Sequence, residues 1–203
     1  AMVDRHGNVA VHTGDNCLKY AGHATGPQFS CQANMMAENT VWPAMAQTFK
    51  STDGDLLERF MSALEAAEAE GGDIRGKQSV AILIVPGSRE VPSYQRSVDL
   101  RIEDHPEPLK EMRRLVRVHR AYEHMNRGDH FMTVGALDSA QIEYEKAMQF
   151  YPENVEIPYW TAIGYVNAGQ LEKALPIFAE IFSEHPEWRE LTRRLEGTGN
   201  IPD

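Results

Sequence analysis

Ser79-Val80-Ala81-Ile82-Leu83-Ile84-Val85, closed by Pro86-Gly87, is a near-continuous apolar run of strand length. A run without polar alternation predicts a strand buried on both faces. After the loop 86–96, Val98-Asp99-Leu100-Arg101-Ile102 alternates apolar and charged residues, which predicts a half-exposed strand. Two such strands need more sheet around them than the neighbouring sequence obviously supplies.

Upstream of this pair, helical signals take over. Thr40 is placed to cap a helix with Pro43 in its first turn and Val41, Trp42, Met45 and Phe49 on its apolar face. Asp53 is placed to cap a second, in which Leu56, Leu57, Phe60, Met61, Leu64 and Ala67 recur at helical spacing until Gly71-Gly72. The Met and Phe stripe reads as core before it reads as a binding surface. Before the helices, residues 13–35 are rich in Gly, Asn, His and Ser and predict a long ordered loop, the first place to look for function. Val9-Ala10-Val11-His12 precedes it as a short strand.

Downstream, a helix starts at His105-Pro106 and strand signals cease. A period of 34 then runs through the chain: Gly128 with Ala162, Phe131 with Tyr165, Gly135 with Gly169, Ala140 with Ala174, Tyr144 with Phe178, Pro152 with Pro186. These residue types at these offsets resemble the tetratricopeptide (TPR) repeat. Small residues let paired helices approach, aromatics fill the gap between repeats, and prolines end the second helix of each. Arg127 and Thr161 stand where that pattern has Leu, and Ile181 replaces a small residue. Helices are expected at about 121–134, 137–150, 155–168 and 171–184, followed by a solvating cap at 187–195 with Trp188, Leu191 and Leu195 on its apolar side. Leu109, Met112, Leu115, Val116 and Val118 give the preceding helix a face to pack against the first repeat.

The 203 residues carry a net charge of −10 and a mean hydropathy of −0.46. Residues 1–119 hold 13 Lys+Arg against 16 Asp+Glu; residues 120–203 hold 7 against 14, so the acidity belongs mostly to the helical part. This balance argues against a nucleic-acid backbone as partner. No apolar run approaches membrane-spanning length, and no signal-peptide pattern opens the chain. Two cysteines make no disulfide scaffold.

Gly71-Gly72-Asp73-Ile74-Arg75-Gly76-Lys77-Gln78 nearly spells a phosphate-binding loop. It fails because Gln78 replaces the magnesium-holding Ser or Thr, and because the glycines follow a helix and open a strand. His12, Cys17, His23 and Cys31 lack the close pair that zinc sites use, so no metal or cofactor is expected. A free thiol pair is the first reading of the cysteines, with a Cys17–Cys31 disulfide left open. Asp15, His23, Asp73, Arg75, Asp99, Arg101, Asp104 and His105 remain as scattered polar candidates.

Taken together, several stretches resemble one family. They are His12-Thr13-Gly14-Asp15-Asn16-Cys17, Ala21-Gly22-His23-x-x-Gly26, and Phe29-Ser30-Cys31-Gln32-Ala33-Asn34-Met35-Met36. Val41-Trp42-Pro43-Ala44-Met45-Ala46, Gly71 to Ser79, and Val98-Asp99-Leu100-Arg101 leading to Asp104-His105-Pro106 complete the set. The ordered set resembles the bacterial and archaeal family called domain of unknown function 1028. The resemblance implies a fold like the N-terminal-nucleophile (Ntn) hydrolases, two stacked sheets between helical layers (αββα). In active members of that wider group a terminal Thr, Ser or Cys attacks an amide, with its own α-amine of pKa about 8 as base. This chain opens Ala1-Met2-Val3-Asp4, with no such residue, and is expected to be the C-terminal portion of that domain, inactive alone.

The expected fold class is therefore α+β followed by all-α. A partial Ntn-hydrolase-like domain occupies 1–119, including a bridging helix at 106–119, and a TPR pair (121–154, 155–188) with its cap occupies 120–203. The expected function is a cytoplasmic protein-binding or positioning unit, taking a protein or peptide on the TPR surface, with homo-oligomerisation open. The alternative is the C-terminal part of an amide (peptide or asparagine-type) hydrolase. For that chemistry Asn34, Gln32 and Ser30 are the expected donors to a developing oxyanion and Arg75 the holder of a substrate carboxylate, with His23 orienting them. Asp73 is a further catalytic candidate; Asp15 and Gln78 are further substrate-binding candidates.

Overall fold

Three antiparallel hairpins and two helices make up the first of two compact units, Ala1–Val116; the second is Arg117–Asp203. The computed structural model describes residues 1–88, 90–92 and 94–201, so two positions of the loop 86–96 lie outside the described residues.

In the first unit, β1 (Met2–Val3) pairs with β2 (Val9–Ala10), the shortened form of the strand expected at 9–12. The Asp4 carboxylate holds the turn by accepting the His6 and Asn8 amides at 2.8 and 2.9 Å. The segment 13–35 is not all loop. Within it β3 (Gly22–Gly26) and β4 (Phe29–Ala33) form a hairpin closed by Pro27-Gln28, with Gln28 in the left-handed region at φ 63°. Small and polar residues hid it from a hydrophobic-pattern reading. Gly22 is required by packing: a Cβ there would lie 2.4 Å from the Trp42 indole.

Helix α1 (Val41–Ser51) starts at Thr40, but the Thr40 side chain makes no capping bond. Helix α2 (Leu56–Ala69) is capped by Asp55 rather than Asp53; the Asp55 carboxylate accepts the Glu58 amide at 3.1 Å. Asp55 stands one residue before the first helical turn, the position from which a short carboxylate reaches a free amide. Gly71 and Gly72, at φ 98° and 57°, end α2, and their amides return to Glu68 and Ala67.

β5 (Val80–Ile84) and β6 (Val98–Ile102) pair in register from Val80↔Ile102 to Ile84↔Val98. β5 is not buried on both faces. Ile82 is 4% exposed and packs with Leu57, Met61, Val98, Met112 and Val116, whereas Leu83 and Val85 on the opposite face are 56% and 53% exposed. Among the described residues, the buried cluster around β5 forms on the face of Val80, Ile82 and Ile84. β6 alternates as expected, with Val98 buried and Asp99 and Arg101 outward.

Helix α3 (Pro108–Thr133) is one continuous helix where two were expected, at 106–119 and 121–134. No proline or glycine interrupts it between Leu109 and Arg127. Its first turns belong to the first unit, where Arg113 pairs with Glu58 at 2.8 Å and Glu65 at 2.6 Å. Both carboxylates of α2 push the Arg113 pKa upward.

The second unit continues along α3 into α4 (Leu137–Phe150), α5 (Glu156–Asn167), α6 (Leu171–Glu184) and α7 (Glu187–Leu195). The period of 34 is visible in its backbone bonds. Gly135 donates to Met132 and Ala136 to Phe131; 34 residues on, Gly169 donates to Val166 and Gln170 to Tyr165, with both glycines near φ 75°. Ala140 and Ala174 are fully buried, and Tyr144 and Phe178 nearly so. Thr161, in an apolar position, is satisfied within its helix: Oγ1 donates to the Ile157 carbonyl at 2.7 Å. On α7, Leu195 is buried and the charged residues face out. Among the described residues no helix is long and apolar enough to cross a membrane.

The sidedness of β5 predicts unequal mutational costs. Ile82→Ala should lower the unfolding free energy by about 2–5 kcal/mol. Leu83→Ala should change it by less than about 0.5 kcal/mol. Urea unfolding of both variants measures this; equal losses would show that both faces of β5 are packed.

Candidate functional site

A cavity of about 630 Å³ in the first unit is built where two chain segments are laced together. The Ala37 amide donates to Gly72 and the Ile74 amide to Met35, each at 2.9 Å, and Met36 bridges Asp73. The positive φ of Met35 (62°) and of Gly71 and Gly72 makes both bends. This lacing brings Gln32 and Asn34 from the end of β4 into one cleft with Asp73, Arg75 and Gln78.

Asp73 and Arg75 are partners. Arg75 donates its backbone amide and Nε to Asp73 Oδ1 at 2.9 Å and its terminal nitrogen to Oδ2 at 2.6 Å. These bonds hold the Asp73 pKa down to about 2, so the group is a carboxylate at neutral pH and no general acid. Arg75, expected to hold a substrate carboxylate, already holds one from its own turn. Lys77 is engaged likewise, by Glu68 at 3.2 Å and Glu107 at 3.1 Å. Gln78 Nε2 reaches Asp104 Oδ1 at 3.4 Å. Gln32 and Asn34 are exposed amides with no such tie among the described residues.

The remaining sequence candidates lie elsewhere. His23 stands directly across the hairpin from Gln32, but is not among the cleft-lining residues; its Nδ1 is bonded to Thr13 Oγ1 at 2.6 Å. Ser30 lines a neighbouring apolar cavity of about 320 Å³ with Phe29, Cys31, Met45, Phe49 and Phe60. Asp15 is exposed and lines neither. Cys17 and Cys31 are free thiols, one exposed and one buried, and burial pushes the Cys31 thiol pKa up. Among the described residues no group of three or more His, Cys, Asp or Glu gathers as a metal site.

The second unit holds a cavity of about 410 Å³. Met125, Asp129, Met132 and Thr133 of α3 form one wall, Trp160, Ile163 and Asn167 of α5 the other, with Tyr144 below. Sequence reading passed over Asp129. The available signal was its place beside Gly128, facing the Tyr144 position of the next helix.

Three hairpins and two helices, with the start of α3, define the first unit as an α+β domain. The chain belongs to the family of unknown function DUF1028, whose model matches residues 1–112. A similar solved structure is protein SPO2555 from Silicibacter pomeroyi, also of DUF1028, with 31% identity and a TM-score of 0.45. The match covers 54% of this chain and 46% of that one, so the chain spans about half the length of that relative. No curated protein matches it.

The Asp73–Arg75 pairing has a pH signature. A depressed carboxylate contributes stability that is complete above its ordinary pKa of 3.8 and is lost as pH falls through about 2. A carbon-detected NMR titration should place the Asp73 midpoint near 2 in the native chain. In Arg75→Ala the midpoint should return towards 3.8, and an unmoved midpoint would remove Arg75 as the cause.

Proposed function

We propose that the chain joins a DUF1028 domain of the Ntn-hydrolase-like class to a tetratricopeptide-type repeat pair, and that it works as a protein-binding or positioning unit through the repeats. The observation carrying this reading is the 34-residue period in the turn bonds of Gly135 and Gly169 and in the buried pairs Ala140/Ala174 and Tyr144/Phe178. Helices stacked by such a period offer their inner members as a groove, and the cavity between α3 and α5 lies on those members. Twofold excess of acid over base from residue 120 onward favours a partner with basic character. The setting this reading implies is the cytoplasm, where thiols such as Cys17 and Cys31 stay reduced.

A second reading, part of an amide hydrolase, is favoured by the cleft. Its unengaged amides Gln32 and Asn34 are the donor type that stabilises a developing oxyanion. Under the first reading this chain alone releases neither ammonia nor a new terminus from asparagine-containing peptides. Turnover above background that Asn34→Ala abolishes without unfolding would favour the hydrolase.

The binding reading is tested by NMR. Peptides selected by the full chain on an array should shift amide signals within 125–133 and 160–168 and leave those of the first unit unmoved. Shifts confined to residues 1–116 would reject it.

A further inference from the structure

The cavity between α3 and α5 has a chemistry of its own. Tyr144 donates its hydroxyl to Asp129 Oδ1 at 2.8 Å, and Oδ2 has no partner among the described residues. No lysine or arginine lines the cavity. Asn167 donates one of its two side-chain amide hydrogens to the Asn200 carbonyl at 3.0 Å, which turns its side-chain oxygen into an acceptor at the rim. Between these acceptors the walls are the thioethers of Met125 and Met132, the Trp160 indole and Ile163. The cavity thus offers one carboxylate oxygen, one amide oxygen and an apolar, partly aromatic sleeve. Asp129 is exposed as a residue, and partial burial of its carboxyl raises its pKa against the opposing pull of the Tyr144 hydroxyl.

We infer that this cavity receives an arginine side chain of a peptide partner, with the guanidinium on Asp129 and the methylene stem between Met125, Met132 and Trp160. The inference rests on the reading of the second unit as a peptide groove and names what that groove selects. A planar guanidinium can donate to Asp129 Oδ2 and the Asn167 oxygen together while stacking on indole. Its stem covers apolar surface that an acidic side chain would leave wet. An acidic or carboxylate-terminal ligand would instead bring a second negative charge against Asp129 in a unit already rich in acid.

The probe is the capped heptapeptide Gly-Gly-Ala-Arg-Ala-Gly-Gly, beside versions with citrulline or Glu in place of Arg, titrated into the full 203-residue chain at pH 7 and followed by NMR. The Arg peptide should move the amide signals of Asp129, Trp160 and Asn167 and bind at least about tenfold more tightly than the citrulline peptide, the discrimination expected for a charge-assisted bond. Asp129→Asn, which keeps an acceptor for Tyr144 and so the fold, should erase that difference; the circular-dichroism melt checks that folding is retained. Equal binding of the Arg and citrulline peptides, preference for Glu, or an unchanged preference in Asp129→Asn overturns the arginine pocket while the groove reading stands. Should array-selected peptides and all three probes leave residues 125–133 and 160–168 unmoved, the groove reading falls with it.

Discussion

A phenol buried among helices makes two demands at once: room for its ring and an acceptor for its hydroxyl. Tyr144, 1% exposed, has both met by adjacent residues of α3. Gly128 supplies the room, since a Cβ there would lie 2.4 Å from the ring. Asp129 supplies the acceptor, without which the buried hydroxyl would cost about 1–3 kcal/mol. Tyr144 thereby ties α4 to α3, beside the buried cluster of Ala121, Met125, Ala147 and Ile157 that joins α3, α4 and α5. The same requirement sets a carboxylate into the cavity beside it. An asparagine oxygen would accept the Tyr144 hydroxyl equally well, and desolvation penalises the charge Asp129 carries. The fold asks for an acceptor; the negative charge goes beyond what the fold asks.

The first unit shows the reverse economy. Its cleft contains two cations, Arg75 and Lys77, and both are engaged by carboxylates of neighbouring turns and helices. An anionic ligand must compete there with an intramolecular partner that loses no translational freedom on binding. What remains open is the amide chemistry of Gln32 and Asn34, suited to a neutral carbonyl or amide. The short lacing of 35–37 against 72–74 positions those amides, so cleft geometry is fixed by backbone bonds and two left-handed glycines more than by side-chain packing.

What the sequence made legible follows from where periodicity is strong. Helices α4 to α7 lie within a residue or so of the expected spans because a 34-residue repeat counts their turns twice. The β3–β4 hairpin escaped because Gly22, Ala24, Gly26 and Ser30 give no apolar alternation; its register rests on the turn and on Trp42 packing over Gly22. The cap of α2 was displaced by two residues because Asp53 and Asp55 are chemically equal, and only geometry decides between them. β5 misled for a deeper reason: an apolar run reports what a strand tolerates on each face, not what stands against it in the described chain. For the cleft, residue chemistry selected Gln32, Asn34, Asp73, Arg75 and Gln78, which the fold brings together, but it could not foresee that Asp73 and Arg75 would satisfy each other. His23 and Ser30 were equally plausible by chemistry and are set apart by their places on the hairpin, and Asp15 by its exposed turn before it.

The two segments related by the 34-residue period are alike in their turn bonds and differ together at two pairs of positions. Arg127 and Thr161 are equivalent positions, as are Glu143 and Ile177. In the first repeat Arg127 donates Nε to Glu143 at 2.7 Å, and His124 and Lys146 bind the same carboxylate at 2.8 and 2.7 Å. Their hydrogen bonds hold the Glu143 pKa down to about 2. In the second repeat Ile177 packs against the aromatic core, and Thr161 satisfies itself on its own helix. Glu143 has three partners in His124, Arg127 and Lys146, whereas the equivalent Ile177 packs among apolar residues. The departures from the repeat are therefore a matched pair. The segment around Glu143 is charged and the equivalent segment around Ile177 apolar.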